Sequence, residues 1–143
     1  MPNMPNCLKG ISRLKLYVAI GIGGVIGSSL RFLLSFLFGT NNFSAFPWAT
    51  LTVNVSGAFL LTFVLFTPFI KDKISPTIFT AITTGVIGSY TTFSTITVEV
   101  ILVGKENVFY AFLYLFLTIC GGLLCSFIGY KVAKSLKKEA IVP

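Results

Sequence analysis

At 143 residues the chain has the length of one domain. Hydrophobic residues make up 55% of it and charged residues only 10%, against about a quarter charged in an ordinary soluble domain, so a water-soluble fold is excluded and lipid must serve as part of the solvent. The net charge of +7 comes from eleven Lys and Arg against four acids, but these basic residues flank apolar segments and form no stripe with aromatics, which argues against a nucleic-acid partner.

A membrane-crossing helix needs about 20 mainly apolar residues. The first predicted span, 16–38, follows a tail carrying Cys7, Lys9, Arg13 and Lys15 and contains one charge, Arg31. It is too long and too late for a cleaved signal peptide, and no small-residue cleavage pattern follows it. The second span, 47–70, is free of charge. The third, 75–103, is uncharged up to Val98 and then carries Glu99; the fourth, 107–130, is again uncharged. Cys120 and Cys125 stand five apart in this last span, off a common helix face, and no CxxC spacing exists. They read as small buried hydrophobes. The chain has no histidine, so it lacks the commonest metal ligand and proton shuttle.

The connections near 39–46, 71–75 and 104–106 are short, so neighbouring helices run antiparallel. The expected architecture is an all-α integral membrane domain of four helices, spanning residues 1–143. Lys9, Arg13, Lys15, Lys71, Lys73, Lys131, Lys134, Lys137 and Lys138 fall on the face of the termini, and only Lys105 on the other. Nine against one places both termini in the cytoplasm and predicts a single orientation in the cell membrane.

The third span carries the chemistry. Between Ser75 and Thr97 twelve side chains bear hydroxyls. Ser and Thr of this kind serve as glue between helices or line a polar path. The run Gly85-Val-Ile-Gly88-Ser-Tyr-Thr-Thr92 favours the second, because glycine and β-branched Thr weaken a helix. The expectation is a third helix broken mid-membrane, its unwound carbonyls tolerated only inside protein or around an ion or water. Gly23 and Gly27, like Gly121, Cys125 and Gly129, repeat every four residues and predict close helix contacts.

Three runs in sequence resemble one family. Gly85 to Ile96, with Thr91-Thr92-Phe93-Ser94-Thr95 at its core, resembles the third-helix signature of the Fluc (CrcB) fluoride channels. Gly23-Gly24-Val-Ile-Gly27-Ser-Ser-Leu-Arg31-Phe32 resembles that family's glycine-rich stretch, and Thr50-Leu-Thr-Val-Asn54-Val-Ser-Gly57-Ala-Phe59 its second-span pattern. The resemblance implies an antiparallel dimer with two fluoride pores and a central structural sodium. The carbonyls of Gly88 and Thr91 would be the sodium ligands, oxygen donors suited to a hard cation. Phe93 would line the pore, offering the positive ring edge to a small anion. Asn54 would donate an amide N–H to fluoride, with Thr50 one turn away. Ser94 and Thr95 would supply hydroxyls along the path, and Tyr114 and Thr118 resemble the polar track of the last helix. Arg31 would sit at the vestibule, where an intramembrane cation is functional by default, or snorkel to the interface. Glu99 matches a position near the pore mouth and carries no assigned role.

The chain departs from the family at Ile96, where a second pore phenylalanine is expected three residues after Phe93. Ile96 keeps an apolar wall without a ring edge. Ala49 and Ser28 replace a glycine and an alanine, which are milder changes. An antiparallel homodimer needs a weak basic bias, so the strong bias here points to an oppositely oriented homologue as partner, with a homodimer the other possibility. The expected function is passive export of fluoride that relieves its toxicity. No ATP-binding motif is present, and no carboxylate pair or histidine suggests proton coupling. A non-conducting partner subunit of a heterodimeric channel is the alternative. A small multidrug-type transporter would need an acid in the first span, which holds Arg31 instead. An enzyme is not expected, because the hydroxyls have no general base beside them.

Overall fold

The structure, a computed structural model, describes residues 6–38, 46–67, 70 and 73–139, with side chains described from Arg13 to Leu136. The expected connection at 39–46 lies outside the described residues except for Phe46, and so does Lys71. The side chains of Lys9, Lys137 and Lys138 are outside them too.

The described residues are helical, with no strand among them. Helix α1 spans Asn6–Leu37 and α2 spans Trp48–Phe66. The third stretch is composite: α3 (Pro76–Thr80), a π-helical segment (Ala81–Ile87), α4 (Gly88–Tyr90) and α5 (Ser94–Glu106) follow one another. Helix α6 closes the chain at Val108–Glu139. Four stretches are long and apolar enough to cross a membrane: Arg13–Leu37, Trp48–Phe66, Pro76–Glu106 and Val108–Leu136.

Local chemistry fixes the ends. Ser75 caps α3, its hydroxyl accepting from the Ile78 N–H at 3.3 Å, and Pro76 occupies the first helical position, where no N–H is needed. Asn107 alone separates α5 from α6. Its backbone is extended, and its side-chain oxygen accepts from the N–H of Phe109 at 2.9 Å, so one residue ends one helix and caps the next.

Two packed pairs build the bundle. Helix α2 lies along α6, and α1 lies along the π-helical segment. Both contacts rest on glycine. A Cβ on Gly23 would stand 2.6 Å from the Ala81 carbonyl oxygen, and one on Gly85 2.7 Å from that of Ile20. On the other pair, a Cβ on Gly129 would stand 2.7 Å from the Phe59 carbonyl oxygen. Backbones approach this closely only where side chains are absent, the packing mode of helices in lipid. Val53 and Tyr114 are fully enclosed between the helices. The outward faces carry Phe32, Phe36, Phe112, Phe116 and Leu123, all exposed. Apolar surface on this scale suits a protein whose sides face hydrocarbon.

Candidate functional site

The composite third stretch is interrupted between α4 and α5. Thr91 leaves the helical region at φ −75°, ψ 156°, and α5 starts again at Ser94. Continued helix would send the Thr92 N–H to the Gly88 carbonyl and the Thr95 N–H to that of Thr91. Both are diverted. The Thr92 N–H donates to the side-chain oxygen of Asn54 at 2.8 Å, and the Thr95 N–H to the Thr92 hydroxyl at 3.3 Å. Asn54 completes the clamp, its amide nitrogen donating to the Thr92 carbonyl at 2.9 Å. One side chain of α2 thus replaces the backbone partners of a residue in the interruption of the third stretch, as an orphaned main-chain group at membrane depth requires. The carbonyls of Gly88 and Thr91 are left without these main-chain donors. That of Gly88 accepts from the Thr91 hydroxyl at 3.4 Å.

Around the interruption lies a cavity of about 130 Å³. Arg31, Phe32 and Ser35 line it from α1, Thr50 and Val53 from α2, and Thr92 and Thr95 from the third stretch. Arg31 has no hydrogen-bond or ion-pair partner among the described residues. The hydroxyls of Thr92 and Thr95 bond each other at 2.9 Å, and that of Ser94 stands 3.4 Å from Thr92.

Behind the cavity Glu99 joins three helices. One carboxylate oxygen accepts from the Thr50 hydroxyl at 2.8 Å, the other from the Tyr114 hydroxyl at 2.7 Å. The Tyr114 ring is enclosed, with Phe46 meeting it edge-on at 5.7 Å between centroids. Two hydrogen bonds satisfy the acid, with no cation beside it among the described residues.

The expected residues therefore divide. Arg31, Thr50 and Thr95 meet at one cavity, Asn54 holds the interruption beside it, and Glu99 and Tyr114 stand behind Thr50. Thr118 is not part of this cluster, its hydroxyl donating to the Tyr114 carbonyl of its own helix at 2.8 Å. Phe93 and Ile96 have different surroundings. Phe93, at the start of α5, is 81% exposed, whereas Ile96 is packed inside the subunit at 8%. Ser94 is exposed next to Phe93. Sequence reasoning assigned no role to Thr92, which binds both Asn54 and Thr95. Its position two residues before a helix start, with a hydroxyl and a β-branched side chain, was the available signal. The pairing of the Ser56 and Tyr90 hydroxyls at 2.9 Å, which ties α2 to α4, was also missed.

Comparison with known proteins adds independent findings. The family described as "CrcB-like protein, Camphor Resistance (CrcB)" matches residues 18–130. A "Fluoride-specific ion channel FluC 1" of Desulfitobacterium hafniense is 43% identical over 116 residues, 80% of this chain and 100% of that protein. A "Fluoride-specific ion channel FluC 2" of Geobacillus kaustophilus is 40% identical over 129 residues, 88% of this chain and 98% of that protein. A "Fluoride-specific ion channel FluC 1" of Bacillus cereus is 38% identical over 140 residues, 96% of each chain.

Proposed function

The chain belongs to the CrcB family of multi-pass membrane proteins, and from that membership we propose that it is one subunit of a fluoride-selective ion channel, not an enzyme, that lets cytoplasmic fluoride run out across the cell membrane. The observation that carries this reading is the small polar cavity of Arg31, Thr50, Thr92 and Thr95 inside a bundle whose sides are apolar. Fluoride is small and holds its water tightly, so a conduit for it must offer hydrogen-bond donors in place of that water. Arg31 brings charge and unshared donors to the cavity. The Asn54 amide keeps a second N–H beyond the one given to Thr92. Thr95 and Ser94 add hydroxyls able to turn toward an anion. Thr50 differs, since its proton is committed to Glu99, which makes Glu99 and Tyr114 positioning residues for that hydroxyl. Weak, successive donors of this kind suit an ion that must leave as readily as it enters.

The reading extends to a dimer with a central sodium. The exposed Phe93 supports it, because a ring edge lines a fluoride path only when a second subunit covers it. The residues fit a sodium ion: the carbonyls of Gly88 and Thr91 have lost their helical donors and are neutral oxygen ligands, which a hard monovalent cation accepts. The nine-to-one basic bias favours an oppositely oriented homologue as partner and cytoplasmic termini. A non-conducting role within such a heterodimer is the second reading, favoured by Ile96, which is packed within the subunit and presents no ring.

Fluoride efflux from liposomes holding the purified chain, alone and with the homologue, tests the function. Efflux that excludes chloride, with the chain alone or only with the homologue, supports the channel. Silence in both, with the protein shown folded, overturns it.

A further inference from the structure

At the end of the bundle away from the chain termini, a second pocket of about 360 Å³ opens where α2 begins and α5 passes to α6. That volume lies within the range of about 300–1,000 Å³ typical of ligand sites. The rings of Phe46, Trp48 and Tyr110 line it with the Glu106 carboxylate, over an apolar floor that includes Val103 and Leu113. Phe46 and Trp48 are in contact, their centroids 4.6 Å apart and their planes tilted by 45°. Trp48 and Tyr110 are each about half exposed. Neither Glu106 nor the adjacent Lys105 has an ion-pair partner among the described residues, and both are exposed. None of these side chains belongs to the polar cavity around Arg31.

Aromatic faces carry negative charge density and attract alkylated ammonium groups, and a carboxylate at the rim adds a counter-charge. Trp and Tyr at this end of a membrane bundle also sit at headgroup level. We propose that the pocket holds the zwitterionic headgroup of an ammonium phospholipid, its ammonium against the rings and Glu106.

Trp48 is the sole tryptophan of the chain, so its fluorescence reports on this pocket. The detergent-solubilised full chain is titrated with dihexanoylphosphatidylcholine, and separately with dihexanoylphosphatidylglycerol and tetramethylammonium. Phosphatidylcholine is expected to give a saturable change in Trp48 emission that phosphatidylglycerol does not give. Glu106→Gln is expected to weaken that binding about two- to fivefold and to leave fluoride efflux unchanged. An equal response to phosphatidylglycerol reduces the pocket to a slot for chains, and an equal response to tetramethylammonium makes it a site for free cations. Either result, or undiminished binding by Glu106→Gln, overturns the proposal. If circular dichroism shows Glu106→Gln misfolded, Tyr110→Leu carries the same test.

Discussion

Asn54 is the residue on which most converges. Its amide satisfies both main-chain groups of Thr92, and Asn54→Ala leaves an N–H and a carbonyl without partners inside the bundle. The expected cost is about 1–3 kcal/mol of stability, read as a lower unfolding temperature in detergent, together with loss of fluoride efflux. Thr50 and Tyr114 share one carboxylate, so their contributions are expected to couple. In a double-mutant cycle of Thr50→Val and Tyr114→Phe, the combined loss of stability should differ from the sum of the single losses by more than about 0.5 kcal/mol. Additive losses would show that Glu99 does not link them. The sequence announced these side chains as unusual in an apolar span but not their partners. Thr50 and Glu99 are 49 positions apart, and only the packing of α6 against both α2 and α5 brings them together. Thr92 was hidden for the same reason, because its meaning lies in an amide on another helix.

For the helices, glycine supplies a sharper test than any hydroxyl. A Cβ on Gly27 would meet the Val86 carbonyl and the Tyr90 nitrogen, backbone atoms that cannot move aside. Gly27→Ala is therefore expected to cost about 1–3 kcal/mol through overpacking. Gly21 and Gly122 have nothing within 4 Å of the corresponding point, so their replacement by alanine should be neutral or add up to about 1 kcal/mol through helix propensity. Thermal unfolding of the three variants side by side checks the contrast. The four-residue spacing of Gly23 and Gly27 made a close contact legible, but not the surface it meets. That surface is the π-helical segment Ala81–Ile87, a wider winding that leaves no period of its own in so short a run. Phe93 and Ile96 carry the same lesson. Their spacing of three suggests a shared face in continuous helix, but Phe93 stands at the interruption and Ile96 a turn inside α5, and their exposures differ tenfold.

For the whole molecule, the four apolar stretches and the basic bias were legible because the bilayer itself imposes them. What a second subunit would cover was not, since no pattern within one chain names the face a partner would take. If Phe93 faces a partner, Phe93→Cys in a chain whose Cys7, Cys120 and Cys125 are replaced by alanine should react with a thiol reagent in the separated subunit and be protected in the assembled dimer. Equal labelling in both states would place the ring against lipid. Helix length has a further consequence. At about 1.5 Å per residue, the 19 residues of Trp48–Phe66 reach about 28 Å, while the 29 of Val108–Leu136 beside them reach about 43 Å. A hydrocarbon layer of about 30 Å matches the first and leaves the second to tilt or project. A thicker bilayer thus strains the short helix first, and that helix holds Thr50 and Asn54. Fluoride efflux should accordingly decline as the acyl chains of the host membrane lengthen, so that membrane thickness becomes a control on the site through the length of one helix.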